Sequence, residues 1–221
     1  MKTIRELMLS NKAWAAEKRE IKKDYFAQQA AGQNPEVFWI GGSDSRVSPQ
    51  HITQTRPGEL FIHRNLANLV YDNDDNLLAD LQHAVDDFEV GHIVLCGHYG
   101  CSGLRSAMDE DVTGHMKAWL RGARDVYEAN REELDAIADP LARQNRLSEL
   151  NVREQLIRLS RIDIVRAAFS RGQDLTLHGW IYDVRNGQLS ELLAIDAPVE
   201  TAVPKPAPKI ISVEEPASDP A

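Results

Sequence analysis

Cysteine is almost missing from this chain. Only Cys96 and Cys101 occur in 221 residues, too close together to staple a fold, so they read as metal-binding or buried. A basic surplus is missing too. The formal charge is −9, which leaves no excess cation to release counterions from a phosphate backbone and excludes broad nucleic-acid binding. No apolar run approaches the ~18 residues that cross a bilayer, so a membrane span is excluded. The first residues, Met1 to Glu6, lack the continuous apolar stretch of a signal peptide, and the expected location is the cytoplasm. What remains is a chain that is 43% hydrophobic. That suffices for a proper core, in one decorated α/β domain or at most two small ones.

Apolar positions Ile4, Leu7, Trp14, Ile21 and Tyr25 predict one long amphipathic helix over 3–31, ended by Gly32-Gln33-Asn34-Pro35. Short apolar runs at 37–41, 59–63 and 92–96 predict buried strands. Helices are expected at 74–89, 113–135 and 151–171. Residues 174–183 alternate like a strand, and Asn186-Gly187 predicts a hairpin that returns 188–195 antiparallel. The alternation of strand and helix predicts an α/β fold: a mainly parallel sheet of about four strands plus one antiparallel, flanked by helices, with an N-terminal helical arm. The divisions are a helical arm at 1–34, an α/β domain at 35–197 and a proline-rich tail at 198–221. Six of the ten prolines fall in that tail, which is expected to be extended or mobile.

Two segments leave the ends of predicted parallel strands, where open α/β sheets place their ligands. One holds Asp44 and Arg46, the other His98 and Cys101. His-x-x-Cys supplies an imidazole and a thiolate, half of a tetrahedral zinc shell; read alone, it is more often a core His and a core Cys. Asp44-x-Arg46 alone reads as a loop-stabilising pair. Cys96 reads as a small buried hydrophobe, His51 and His115 as surface residues, and His83 and His178 as satisfied structural histidines. Gly41-Gly42-Ser43 lacks the Lys and the glycine spacing of a phosphate-binding loop.

Three blocks carry a resemblance. Trp39-Ile40-Gly41-Gly42-Ser43-Asp44-Ser45-Arg46-Val47, Glu59 through Asn68 and Leu95-Cys96-Gly97-His98-Tyr99-Gly100-Cys101 resemble, in order and spacing, the signatures of the β-class carbonic anhydrases. Asn151-Val152 through His178-Gly179-Trp180-Ile181-Tyr182-Asp183 continues the likeness, which covers roughly residues 1 to 195. It implies reversible hydration of CO2 to bicarbonate at a Zn²⁺ ion, and a dimer embraced by the N-terminal arm that often pairs into a tetramer. It also implies zinc ligation by His98 and Cys101, with Asp44 as orienting or alternative ligand and Arg46 as its clamp. Trp39, Arg64 and Tyr182 fall where bicarbonate-regulated members hold a non-catalytic bicarbonate. The residues themselves also fit two core aromatics and an interface arginine.

The resemblance breaks at one position. Where it implies the first zinc-ligand Cys, two residues before Asp44, this chain has Gly42. A glycine offers no donor atom, so zinc binding is expected to be weakened or lost. The site is then rearranged without metal, or holds it through His98, Cys101 and Asp44. A lesser departure is Ser102, where a glycine is common. The expected protein is a hydratase of impaired activity, or else a non-catalytic relative that binds bicarbonate or a partner.

Overall fold

The computed structural model describes residues 2–197; the proline-rich segment from 198 lies outside the described residues. Five strands form one sheet in the order β2-β1-β3-β4-β5. These are β1 (Val37–Gly42), β2 (Leu60–Asn65), β3 (His92–His98), β4 (Thr176–Asp183) and β5 (Gln188–Ile195). The first four are parallel and β5 is antiparallel to β4, as the strand–helix alternation and the Asn186-Gly187 turn predict. The chain leaves β1 toward β2 on one side and β3 lies on the other. The carboxyl ends of β1 and β3 therefore flank the switch point of the sheet.

One face of the sheet carries most of the core. Phe38, Ile40, Ile93, Leu95 and Leu177 pack there against Val152, Leu156 and Leu159 of α8 (Pro140–Ser160). Leu77 and Leu81 of α4 (Asp75–Gln82) and Val165 of α9 (Asp163–Ser170) complete this layer. A second cluster joins Cys101 and Leu104, the latter in α5 (Ser102–Met108), to Leu120 and Val126 of α6 (Gly114–Ala129) and to Leu134 of α7 (Arg131–Asp135). On the opposite face Trp39, Val94 and Cys96 are buried beside Trp180 and Tyr182. There Ile52 of α3 (Pro49–Thr53) is the one apolar helical residue packed against them among the described residues.

Three helix expectations are corrected. Residues 3–31 form two helices, α1 (Ile4–Ile21) and α2 (Tyr25–Ala30), because the chain turns extended at Lys22. Trp14 then packs edge-on against Tyr25 and Phe26, so the aromatics that read as one stripe close a helical hairpin. Residues 113–135 divide at Asn130 into α6 and α7. The helix expected at 151 begins at Pro140, with Asp139 accepting from the Ala142 amide as its N-cap, and ends before a separate α9. No residue of α1 is buried; Ile4, Leu7, Met8 and Ile21 are all exposed.

Candidate functional site

The last residues of β1 are glycines for different reasons. A Cβ on Gly41 would lie 2.6 Å from Trp39 Nε1, so the indole itself requires that glycine. A Cβ on Gly42 would meet only ordinary contacts, with His98 Cε1 and Nδ1 at 3.4 Å and the Asp44 amide nitrogen at 4.0 Å. Its φ lies outside the left-handed region. Nothing in the backbone or its surroundings excludes a β-carbon at 42, and such a carbon would touch the His98 ring.

Beyond Gly42 the chain bends sharply around Asp44. Arg46 donates to both carboxylate oxygens, Nε to Oδ1 at 2.9 Å and Nη2 to Oδ2 at 2.7 Å, while its amide also donates to Oδ1 at 2.9 Å. This two-pronged clamp holds the Asp44 carboxyl far below the usual carboxylate range, against the opposing effect of burial. Arg64, from β2, fastens the loop from beneath. Its Nε donates to Gly42 O at 2.8 Å, and its Nη2 to Asp44 O at 2.6 Å and Val47 O at 2.8 Å.

His98 is the last residue of β3 itself and not of the loop after it, a correction to the sequence reading. Its side chain is 2% exposed, and Nε2 lies 3.1 Å from Asp44 Oδ2. An ionised carboxylate only accepts, so Nε2 carries the proton. Burial pushes the imidazole pKa down, outweighing the pull of Asp44. Burial thus favours the neutral ring, whose lone pair lies on Nδ1, on the ring edge that faces position 42.

Cys101 opens α5. Burial raises its thiol pKa, offset in part by the Gly103 and Leu104 amides. Its carbonyl accepts from Gln144 Nε2 at 2.7 Å. The neighbouring Gly100, at φ +68°, donates its amide to Asn145 Oδ1 at 3.1 Å. Tyr99 hydrogen-bonds the Glu149 carboxylate at 2.7 Å. Three residues of α8 thus hold the second loop, and sequence reasoning missed all of them. Gln, Asn and Glu within a helix read as solvent-facing, although Asp139-Pro140 signals that the helix begins early enough to reach the loop.

The structure brings Asp44, Arg46, His98 and Gly42 together at the switch point. It does not assemble a metal shell from them. Among the described residues no three His, Cys, Asp or Glu side chains lie close enough to hold an ion jointly. Asp44 is committed to Arg46, His98 Nε2 to Asp44, and Gly42 brings no donor. A zinc ion with three protein ligands does not fit the residues present. Trp39 and Tyr182 pack together on the sheet face opposite α8, where Trp39 is 1% exposed and meets Trp180 edge-on. Arg64 rises from the same face but spends its guanidinium on the loop carbonyls.

Comparison with known proteins agrees with the fold and the blocks. A model of the carbonic anhydrase family matches residues 37–189. A carbonic anhydrase of Emericella nidulans is 40% identical over 183 residues, 83% of this chain and 80% of that protein. A tetrameric β-carbonic anhydrase from the filamentous ascomycete Sordaria macrospora superposes with a TM-score of 0.83 at 38% identity, covering 86% of this chain and 98% of that one. The β-carbonic anhydrase of Coccomyxa, solved with acetazolamide, gives 0.84 at 33% identity over 89% and 90%.

Proposed function

The chain belongs to the β-class carbonic anhydrases, and from that premise we propose that it is a CO2 hydratase by descent whose metal shell is one donor short. As it stands it hydrates CO2 poorly. The observation that carries this reading is the space at position 42. A β-carbon fits there against His98 at 3.4 Å, yet the residue present supplies no ligand atom. The groups that remain keep an order suited to the family's reaction. Arg46 fixes the Asp44 carboxylate, and Asp44 in turn orients an acceptor beside the His98 ring. Zn²⁺ in this family would supply a hydroxide at neutral pH, and His98 and Cys101 are the two retained protein donors for it.

The test is Gly42→Cys. Zinc per chain by elemental analysis and CO2 hydration by stopped flow are measured on both proteins. The expected outcome is sub-stoichiometric zinc and slow turnover in the chain with Gly42. Both should be restored by the substitution, turnover rising about 100-fold or more, since even changes outside the ligand set cost about 10–100-fold. One tightly held zinc per chain and undiminished hydration with Gly42 in place overturn the proposal.

A second reading, non-catalytic binding of bicarbonate, is favoured by one feature. Arg64 shares a sheet face with Trp39 and Tyr182 and also carries the Asp44 loop. An anion that drew Arg64 away would loosen the carbonyls of Gly42, Asp44 and Val47. Bicarbonate-dependent tryptophan fluorescence that disappears in Arg64→Ala supports this reading; no response to bicarbonate removes it. We further propose that the chain self-associates, with exposed α1 covering apolar surface of a second copy, as befits a family with a tetrameric relative.

A further inference from the structure

We propose that His92 and His178 form a two-imidazole site for a divalent transition-metal ion, separate from the crevice at Gly42. His92 opens β3 and His98 closes it, so the two places lie about 20 Å apart along the strand. His92 and His178 sit on neighbouring parallel strands, with His92 paired to Thr176 and His178 to Val94. Period-two alternation therefore aims both rings to the face that carries Trp39 and Val94.

His178 Nε2 and His92 Nδ1 are 3.2 Å apart. At a metal–nitrogen bond of about 2.05 Å that separation subtends about 100°, close to tetrahedral. His178 is oriented for ligation. Its Nδ1 lies 2.9 Å from Glu191 Oε2, and the same oxygen accepts from Trp180 Nε1 at 3.1 Å. The indole Nε1 can only donate and a carboxylate oxygen accepts, so Glu191 is the acceptor in both bonds. The proton therefore stays on Nδ1 and the lone pair of Nε2 points outward. This is the carboxylate–histidine–metal arrangement that fixes a ligand's tautomer.

Glu191 reaches both residues because the β4–β5 register shifts between Gly179 and Trp180, which pairs Trp180 with Glu191 while His178 pairs with Ala194. His92 is exposed and His178 half-buried, so solvent reaches the pair. No third His, Cys, Asp or Glu ligand stands close by among the described residues. Water completes the shell, and imidazole suits Zn²⁺, Ni²⁺ and Cu²⁺ alike.

The probe is Ni²⁺ titrated calorimetrically into the full, tag-free chain carrying His98→Ala, which removes the crevice imidazole from competition. The expected result is one saturable Ni²⁺ per chain, weakened at least tenfold by His92→Gln or His178→Gln. Glu191→Gln, which leaves both imidazoles in place, should weaken it by about tenfold. Circular dichroism checks the fold of each variant. His92, being exposed, decides the matter should His178→Gln misfold. Absence of saturable Ni²⁺ binding, or binding unaltered by His92→Gln, overturns the proposal and leaves the pair as a hydrogen bond between two strands.

Discussion

Val152 of α8 is wedged between two glycines, and the fit can be tested by filling one of them. A Cβ on Gly97 would stand 2.5 Å from Val152 Cγ2 and 3.2 Å from Ile181 Cδ1; a Cβ on Gly179 would meet Val152 Cγ1 at 3.2 Å. Carbon atoms rest at about 3.5–4.0 Å, so Gly97→Ala forces the valine methyl aside by about 1 Å. Val152 is fully buried and its helix is packed along β3 and β4, which leaves little freedom for the shift. Overpacking of this kind costs about 1–3 kcal/mol, or a fall in Tm of about 3–10 °C for a chain of this size. Val152→Ala alone removes the equivalent of two methylenes, about 2 kcal/mol with the cavity left behind. In the double variant the clashing methyl is gone, so the two costs should not add. The pair should be more stable than the sum of the singles by about 1–2 kcal/mol. Urea unfolding at fixed protein concentration gives all four free energies, the concentration being held because self-association contributes to stability. Additivity within about 0.5 kcal/mol would refute the close fit of α8 to the glycine groove.

Two further outcomes follow from exposed features. Arg185 clamps Asp183 as Arg46 clamps Asp44, with contacts of 3.0 and 2.8 Å, and holds its carboxyl below the usual range. A depressed carboxylate contributes stability above its unfolded pKa of about 3.9 and loses it as pH falls through the lower folded value. Asp183→Asn should therefore cost about 0.5–1 kcal/mol at neutral pH, with the gap to the parent closing in acid. Equal gaps in denaturant midpoints at both ends of that range count against the reasoning. Leu7 is 51% exposed on α1, so Leu7→Glu should leave the protomer's fold intact while light scattering reports a smaller assembly. An unchanged mass dissociates α1 from self-association.

The sheet was legible because its strands are short apolar runs bounded by turn residues, and because Asn186-Gly187 marks a tight reversal; Gly187 does take φ +76°. The two site segments were legible from their place at the carboxyl ends of parallel strands, although His98 closes β3 itself. Helix limits were not, since periodicity persists across a break when the residues beyond it pack back on the first helix, as Tyr25 and Phe26 do on Trp14. The support of the second loop by Gln144 and Asn145 was equally hidden. A buried amide in a helix has the same local pattern as a solvated one, and only tertiary contact tells them apart. His178 is the satisfied histidine that the sequence reading expects, but its partners, Glu191 and His92 on the two neighbouring strands, are set by strand pairing.

The fold needs no side chain at position 42, for a reason visible in the bonding. The first loop is held by the backbone bond from Ser43 to Asn65, by the Asp44–Arg46 clamp and by three carbonyl bonds from Arg64. The second is held by Gln144, Asn145 and the Tyr99–Glu149 pair. None of these involves a side chain at 42, and the three apolar clusters close without one. A metal in such a site adds binding energy to a scaffold that already stands, unlike a zinc finger, where the metal supplies the folding energy. A glycine at 42 therefore leaves the architecture in place, and on the proposed function its effect falls on the chemistry alone. The same independence means that introducing a thiol at 42 asks nothing of the backbone except room for a β-carbon, and that room is present beside His98.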